Sequence, residues 1–289
     1  MHLPVKQVNM KVEEGFFKTY DGLNLFYRFW LADSFRHPVF VMHGLHEHSG
    51  RYDRIIQKLN LPDFSFFSFD QRGHGQSEGP QGYALGVDEY VKDMAYFWEF
   101  VTKRYSSIPK TNVIWYGHSF GGLWTVRYAL SYPEHVKAVL LSSPCFGIRS
   151  WIYLVDHLIA SLSLLFPKAV MNSFVYRRLL SHDPEERRLH KEDKLIHNKI
   201  GLLLLKDALK IMPETVRQAA QFKKPLMVLV SGKEYVVLKR RTIKFFENAG
   251  SQDKVQHIFP EHYHELHREK DWQKPLGLMR DFLLRQSGH

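Results

Sequence analysis

A serine at the centre of Gly117-His118-Ser119-Phe120-Gly121 is the residue whose setting points most directly to chemistry. Four β-prone residues, Val113 to Tyr116, precede this Gly-x-Ser-x-Gly motif, and a helix-compatible run from Leu123 to Leu130 follows it. A serine raised on a tight, strained turn needs neighbours without side chains, so that strand and helix can close around it. The pentapeptide alone also fits an ordinary glycine-rich turn. Its strand–turn–helix context predicts that Ser119 is a nucleophile.

A nucleophilic serine needs partners, because its hydroxyl is unreactive at neutral pH without an adjacent base that a third group orients. In a doubly wound sheet the acid and then the histidine follow the serine along the chain, each directly after a strand. The segment Lys233 to Val237 follows the apolar run Pro225 to Gly232 and contains a glutamate. The segment Pro260 to His267 follows the last predicted strand, Val255 to Phe259, and contains three histidines. Both partners are therefore available at the expected places.

The elements that must position these residues follow from the hydrophobic periodicity. Short apolar runs alternate with segments whose apolar residues recur at helical spacing. The predicted strands are residues 15–20, 23–30, 38–42, 64–69, 113–116, 136–141, 225–232 and 255–259. The predicted helices are residues 51–59, 88–105, 123–130, 238–249 and 272–285. This alternation predicts an α/β fold with a mostly parallel sheet covered by helices on both faces, and Asp21-Gly22 predicts a hairpin between the first two strands.

The regular alternation ends at Ser143-Pro144, and from about residue 145 to 213 the sequence is mostly helical, with no clear buried strand. This insertion is too long for a normal crossover connection. Its segment Trp151 to Phe166 is nearly all apolar, and a helix that is hydrophobic all round must be buried or must meet an apolar ligand. We interpret the insertion as a helical cap that lines an apolar tunnel to Ser119, with part of its outer surface able to rest on a membrane. The alternative is an insertion packed on the core.

Composition bounds the class of protein. The 289 residues are enough for one large core, and 44% hydrophobic with 24% charged residues is ordinary for a globular protein. The net charge of +10 suggests attraction to anionic surfaces, but no nucleic-acid motif accompanies it. Basic residues are interspersed with acidic ones, as in Glu185-Glu186-Arg187-Arg188, and we interpret these and Arg177-Arg178 as a solvated face. Nucleic acid is not an expected partner; weak attraction to a membrane surface is the alternative.

The sequence predicts neither export nor membrane insertion. Cys145 is the only cysteine, so no intrachain disulfide can form. Residues 1–14 lack the apolar core of a signal peptide, and no segment reaches transmembrane length. The expected location is cytoplasmic, with peripheral contact at a membrane as the alternative.

Two further motifs are more specific than the pentapeptide. They are His43-Gly44-Leu45-His46-Glu47-His48-Ser49-Gly50-Arg51-Tyr52 and Asp70-Gln71-Arg72-Gly73-His74-Gly75-Gln76-Ser77. With these motifs the chain resembles the monoacylglycerol lipase and lysophospholipase branch of the α/β-hydrolases, which is also classed with the S33-type serine aminopeptidases. The resemblance extends from about Gly15 to the C-terminus.

The resemblance assigns roles to particular residues. It implies that Ser119 is the nucleophile and His264 the catalytic base. The backbone N–H groups of Leu45 and Phe120 would form the oxyanion hole. It also implies that Glu47, Arg51, His118 and His267 hold the polar head of a glycerol-like substrate. An alternative role for these four residues is to brace the oxyanion loop.

The acid is where this chain departs from the family, which usually carries aspartate there. Alignment from Val236-Val237 places Glu234 at the acid position, whereas alignment from Gly232 places Tyr235 there. A tyrosine cannot supply the negative charge that stabilises an imidazolium, so we assign Glu234 as the acid.

The numerous loop histidines, among them His43, His46, His48 and His262, raise the question of a metal site. No His-Glu-x-x-His helix is present, and the spacings lie on loops, so we predict no metal ligands. Neither a metal nor a cofactor is expected.

The sequence therefore predicts a single α/β-hydrolase domain over residues 1–289, with a helical cap at about 145–213. The expected activity is hydrolysis of carboxylic esters of lipid-like substrates, such as monoacylglycerol or lysophospholipid, through an acyl-enzyme. Two alternatives are an aminopeptidase-type serine hydrolase and a catalytically weakened hydrolase fold that binds lipid.

Overall fold

The computed structural model describes residues 10–33, 35–111, 113–149, 156–173 and 175–288. The strands are β1 (Lys11–Lys18), β2 (Asn24–Leu31), β3 (His37–Met42), β4 (Phe64–Phe69), β5 (Val113–His118), β6 (Val136–Ser142), β7 (Val170–Asn172), β8 (Lys199–Gly201), β9 (Leu226–Ser231) and β10 (Lys254–Phe259). The α-helices are α1 (Asp53–Leu59), α2 (Val87–Arg104), α3 (Phe120–Ser131), α4 (Asp156–Leu165), α5 (Pro184–Glu192), α6 (Leu202–Arg217), α7 (Lys239–Asn248) and α8 (Gln273–Ser287). Short 3₁₀ turns lie at Ser49–Tyr52, Pro133–His135, Arg177–Leu179, Ala219–Gln221 and Leu266–Arg268.

One eight-stranded sheet, in the order β1-β2-β4-β3-β5-β6-β9-β10, organises the molecule. The first two strands pair antiparallel across the turn at Asp21-Gly22, where Gly22 has a φ of +88°, and β2 pairs antiparallel with β4. All the remaining pairs in this sheet are parallel. Every residue of β4, β5 and β9 is buried, as expected for parallel strands covered on both faces. The predicted α/β-hydrolase architecture is confirmed.

Alternate side chains of each central strand enter two separate cores. In β5, Val113 and Trp115 belong to the core that α2 and α3 cover, whereas Ile114 and Tyr116 belong to the core that α1 and α8 cover. This period-two alternation leaves the carboxyl ends of the parallel strands as one common edge, to which the loops after β3, β5, β9 and β10 contribute.

The inserted segment forms a cap of α4, β7, α5, β8 and α6. It contains a short antiparallel ribbon, β7 with β8, which the expectation of a mostly helical cap did not include. Its last helix, α6, buries Leu204, Leu205 and Ala208 in the core and extends beyond the expected boundary to Arg217. Four residues of the predicted apolar helix, Trp151, Ile152, Leu154 and Val155, lie outside the described ranges.

Among the helices that the structure describes, none combines the length and apolar character required to cross a membrane.

Candidate active site

Ser119 lies on the turn between β5 and α3, with φ 52° and ψ −120°. This positive φ is costly for a residue with a side chain, and close packing on both sides maintains it. A Cβ atom at Gly117 would approach the carbonyl oxygen of Gly121 to 2.6 Å, and one at Gly121 would approach the carbonyl oxygen of Met42 to 2.3 Å. Glycine is therefore required at both flanks, as the predicted nucleophile elbow demands.

The three residues predicted as nucleophile, base and acid form one continuous chain of hydrogen bonds. The Oγ of Ser119 lies 2.9 Å from Nε2 of His264, and Nδ1 of His264 lies 2.9 Å from Oε2 of Glu234. All three are buried, with 7% of Ser119, 2% of His264 and 4% of Glu234 exposed. These distances permit proton transfer from the hydroxyl to the ring and orientation of the ring by the carboxylate.

The loop after β9 fixes the carboxylate of Glu234. Its Oε1 accepts hydrogen bonds from the backbone N–H groups of Val236 and Val237, at 2.8 and 3.2 Å, which leaves Oε2 for His264. Burial raises the pKa of Glu234, but His264 and the two N–H groups lower it, and the net shift is downward. Burial lowers the pKa of His264, but the Glu234 carboxylate raises it, and the net shift is upward. The pair therefore favours an ionised carboxylate beside an imidazole that readily accepts a proton.

Tyr235, the other residue that alignment placed at the acid position, has a different environment. Its ring is 39% exposed and lies edge-on to Tyr263, with centroids 5.3 Å apart. The guanidinium of Arg149 lies 5.7 Å from the same ring. Glu234, not Tyr235, is the residue in hydrogen-bond contact with His264.

Two backbone donors lie beside the serine. Leu45 and Phe120 both line the cavity above Ser119, and in the described part of the chain neither N–H group donates to a protein acceptor. By contrast, the N–H of Gly44 donates to Oε1 of Glu47 at 2.6 Å. The free pair of donors has the composition of an oxyanion hole, one from the loop after β3 and one from the start of α3.

A buried ion network supports the loop after β3. Glu47 accepts from the Tyr52 hydroxyl at 2.9 Å and from Nε of Arg51 at 3.0 Å, and Nη2 of Arg51 donates to Glu265 at 3.0 Å. Burial raises the pKa of Glu47, but Arg51 and other neighbouring cations bring it well below its ordinary value. Glu47 borders the cavity, whereas Arg51 lies behind it. The contacts of both residues brace the loop after β3.

The two histidines predicted to touch substrate are placed differently. His118 borders the cavity, with Nδ1 3.1 Å from the carbonyl oxygen of Ser142. His267 lies behind it, fully buried, with Nδ1 3.4 Å from the Tyr116 hydroxyl. Burial lowers the pKa of His118 to about 4, and burial together with the neighbouring His118 and Arg268 lowers the pKa of His267 well below its ordinary value. Both rings are neutral at physiological pH and carry no charge into the site.

The other loop histidines have separate partners. His43 lies 2.7 Å from the carbonyl oxygen of Gly44, His48 pairs with Asp193 at 2.8 Å, and His262 pairs with Asp271 at 3.0 Å. Across the residues that the structure describes, no group of three or more His, Cys, Asp or Glu side chains is placed to hold a metal ion.

A cavity of about 1010 Å³ extends from Ser119 beneath the cap. Part of its lining is apolar and comes from the loops after β6 and β9, from the cap ribbon and from α6. We call these residues the apolar wall: Ile148, Met171, Ile200, Leu205 and Val236. The cap lines this cavity through Met171, Ile200 and Leu205, whereas none of the described residues of segment 151–166 does so. Leu158, Leu164 and Leu165 lie outside the cavity, 57%, 72% and 71% exposed. The opposite face of α4 packs on α6 instead.

The sequence pattern that defines the family described as serine aminopeptidase, S33 matches residues 33–271. The chain belongs to this family. The predicted resemblance to its monoacylglycerol lipase branch is also confirmed, because rat (Rattus norvegicus) monoglyceride lipase is 28% identical over 253 residues, covering 86% of this chain and 82% of that protein. The crystal structure of Paleococcus ferrophilus monoacylglycerol lipase superposes with a TM-score of 0.80 at 26% identity, covering 96% of this chain and all of the other.

The S33 chain is also similar to YnbC of Escherichia coli (strain K12), with 31% identity over 274 residues. The match covers 94% of this chain but only 47% of YnbC, so the chain spans about half the length of that relative.

Sequence reasoning missed one set of cavity residues in this S33 protein. Arg177, Arg178, Arg187 and Arg188, interpreted above as a solvated face, line the cavity together with Lys191. Arg177, Arg178 and Arg188 are also exposed, so the structure does not contradict a solvated face; the sequence did not indicate that these residues border the cavity as well. Arg187 and Lys191 are four residues apart on α5, so the sequence predicts that they share one face of the helix. Whether that face lies towards the cavity or towards solvent depends on tertiary packing.

Proposed function

We propose that this S33-family chain is a serine esterase that hydrolyses carboxylic esters of lipid-like substrates through an acyl-enzyme. The observation that carries the proposal is the buried hydrogen-bonded chain from Ser119 through His264 to Glu234, which opens onto a partly apolar cavity. The names of two similar proteins, monoglyceride lipase and monoacylglycerol lipase, support this class of substrate.

The first half-reaction acylates Ser119. Its hydroxyl proton passes to Nε2 of His264 while Oγ attacks the ester carbonyl carbon. The carbonyl oxygen becomes negatively charged and accepts hydrogen bonds from the N–H groups of Leu45 and Phe120. The Glu234 carboxylate stabilises the imidazolium that results. The tetrahedral intermediate then breaks its bond to the leaving alcohol, which takes the proton from His264.

The second half-reaction releases the acid. Water enters the place of the alcohol and gives one proton to His264 as its oxygen attacks the acyl carbon. The same two N–H groups hold the oxyanion. When the intermediate collapses, Ser119 regains its proton from the ring and the fatty acid leaves, so both half-reactions use one set of groups.

The apolar wall of the cavity suits an acyl chain. Each methylene transferred from water to such a wall contributes about 0.8 kcal/mol at most, so kcat/KM is expected to climb with chain length until the wall is covered. The aminopeptidase alternative is less well supported, because a free N-terminal amine needs an unpaired carboxylate. Among the described residues, the carboxylates that line the cavity, Glu47, Asp193 and Glu265, each already have a basic partner.

Peripheral membrane contact is the second part of the proposal. Leu164, Leu165 and Phe166, at the end of α4, are 72%, 71% and 59% exposed on the outer surface of the cap. An apolar cluster of this kind on a chain with a net charge of +10 suits insertion among the headgroups of an anionic bilayer. Substrate would then enter the cavity from the lipid.

Labelling with a fluorophosphonate probe tests the catalytic assignment, because the probe reacts only with an activated serine. The parent protein is expected to be labelled and to hydrolyse a soluble ester such as p-nitrophenyl butyrate. Ser119→Ala is expected to lose both properties while remaining folded by circular dichroism. A protein that is folded yet neither labelled nor active would instead support the lipid-binding alternative.

A further inference from the structure

Another part of the cavity lining differs in chemistry from the apolar wall. Four positive charges lie there. They belong to Arg177 and Arg178 on the 3₁₀ turn Arg177–Leu179 and to Arg187 and Lys191 on α5. We call these four residues the basic wall. Arg188, which also borders the cavity, is neutralised by Glu185 and Glu192 at 2.7 and 2.5 Å.

Within the described ranges, none of the four residues of the basic wall forms an ion pair with a carboxylate. The carboxylates that border the cavity are engaged elsewhere, Glu47 and Glu265 with Arg51 and Asp193 with His48. Four like charges gathered at one wall of a concave site repel one another unless an anion lies between them, and a cleft concentrates their field.

A half-buried histidine points to the same conclusion. His190, on α5 between Arg187 and Lys191, also borders the cavity, and its Nδ1 atom is buried with no hydrogen-bond partner among the described residues. Burial lowers the pKa of His190, and the positive charges of Arg51 and Arg177 lower it further. A buried polar atom without a partner is uncommon in proteins, so this nitrogen is a candidate contact for a bound polar group.

A backbone hydrogen bond joins the segment that carries two residues of the basic wall to the loop that carries His264. The backbone N–H of Glu265, the residue after His264, donates to the carbonyl oxygen of Leu180 at 2.8 Å, which anchors the 3₁₀ turn and its arginines on the catalytic loop. A substrate whose acyl chain follows the apolar wall therefore has its alcohol part within the same cavity as the basic wall.

We propose that the basic wall is a subsite for a phosphate group on the alcohol part of the ester, so that the preferred substrates are acyl esters of phosphorylated glycerol rather than neutral monoacylglycerols. This inference rests on the proposed esterase function and names its substrate class. Arginine binds phosphate oxygens through paired N–H donors, and lysine adds a point charge. Hydrolysis of such an ester releases a fatty acid and a water-soluble glycerol phosphate.

The test compares two esters that differ only in the phosphate. Turnover of 1-hexanoylglycerol and 1-hexanoylglycerol 3-phosphate, both used as monomers in solution, gives a ratio of two kcat/KM values. The parent is expected to favour the phosphate ester at least tenfold, as about one charge-assisted contact would provide. Arg177→Gln/Lys191→Gln is expected to reduce this ratio towards one. Both side chains are exposed and pair with no carboxylate among the described residues, so the fold should tolerate the change.

A matched variant separates a local subsite from the general attraction of a basic protein for an anion. Lys103→Gln/Lys274→Gln also removes two positive charges, from exposed positions on α2 and α8 outside the cavity. It is expected to keep the parental ratio. A parental ratio near one, or equal losses in the two double variants, would overturn the subsite.

Inhibition by inorganic phosphate tests whether the basic wall binds the phosphate group of the substrate or free phosphate. It is expected to raise KM for the phosphate ester while leaving turnover of the neutral ester unchanged; equal inhibition of both esters would overturn the headgroup assignment. The proposed esterase function fails in a different way, since the parent would then hydrolyse neither ester and a fluorophosphonate would not label Ser119.

Discussion

The loops that carry Ser119, His264 and Glu234 differ from the cap in how their side chains are held. Ser119, His264 and Glu234 are at most 7% exposed, and each is fixed by hydrogen bonds from the loops at one edge of the sheet. In the cap, exposed leucines lie on the outer surface of α4, and the basic wall lines the cavity with no carboxylate partner in the described part of the chain. The rigid edge of a sheet can hold reacting groups in place to within fractions of an ångström. Cap side chains that have few protein partners are available to bind the substrate and to determine specificity.

The largest expected effect on activity comes from a substitution in the loops that carry Ser119, His264 and Glu234. Glu234→Gln keeps the shape of the side chain but removes the charge that stabilises the imidazolium, so kcat is expected to fall by roughly 10³- to 10⁴-fold. Steady-state hydrolysis of p-nitrophenyl butyrate measures the change. Tyr235→Phe is the matched control in the same loop, and a crippled Tyr235→Phe beside a silent Glu234→Gln would transfer the role of acid to the tyrosine.

A second expected effect concerns pH. His264 acts as a base only when neutral, and Glu234 raises its pKa above the ordinary value of 6.5, so kcat/KM should fall about tenfold per pH unit below that raised pKa. In Glu234→Gln the raising charge is gone while burial remains, so the residual activity should lose its acid limb at a lower pH. Rates of fluorophosphonate labelling across pH 5 to 9 would measure both midpoints. An unchanged midpoint would show that Glu234 does not face the ring in solution.

Supporting residues of the oxyanion loop should show a smaller effect. Glu47→Gln leaves an amide oxygen for Gly44 but weakens the buried pair with Arg51, at a cost of about 1–3 kcal/mol in the free energy of unfolding. Denaturant unfolding measures this loss, and kcat for the soluble ester should fall by roughly tenfold as the loop relaxes. Glu261→Gln is the control, since it removes a carboxylate that is exposed and pairs with Lys233 at the surface. Equal effects of the two substitutions would argue against the bracing role.

The same contrast explains what could be predicted from the sequence. The sheet strands and the site on their edge depend on signals that lie within a few residues, such as buried apolar runs and glycines where Cβ atoms would collide. Strands β7 and β8 have only three residues each, too few for any periodicity to appear. The arginines of the basic wall look like ordinary surface charge, because their orientation depends on how the 3₁₀ turn and α5 dock on the catalytic loop. The strands and the turn that carries Ser119 could therefore be predicted from local sequence, whereas the way the cap packs against the site could not.

The smallest expected effect lies on the outer surface of the cap and tests its membrane contact. Leu164 is 72% exposed, so Leu164→Asp should fold normally and hydrolyse p-nitrophenyl butyrate at the parental rate. Its binding to vesicles of anionic phospholipid, measured by co-sedimentation, should weaken roughly threefold to tenfold, because an apolar side chain that enters the headgroup region is replaced by a charge that the bilayer repels. Val12→Asp is the matched control, since Val12 is 48% exposed on β1 and carries the same change of charge away from the cap. If both substitutions weaken vesicle binding equally, net charge alone accounts for the attraction. If Leu164→Asp alone weakens vesicle binding, the end of α4 is the membrane contact. The cap would then place the cavity next to the bilayer, while the proposed catalytic residues lie at the edge of the sheet.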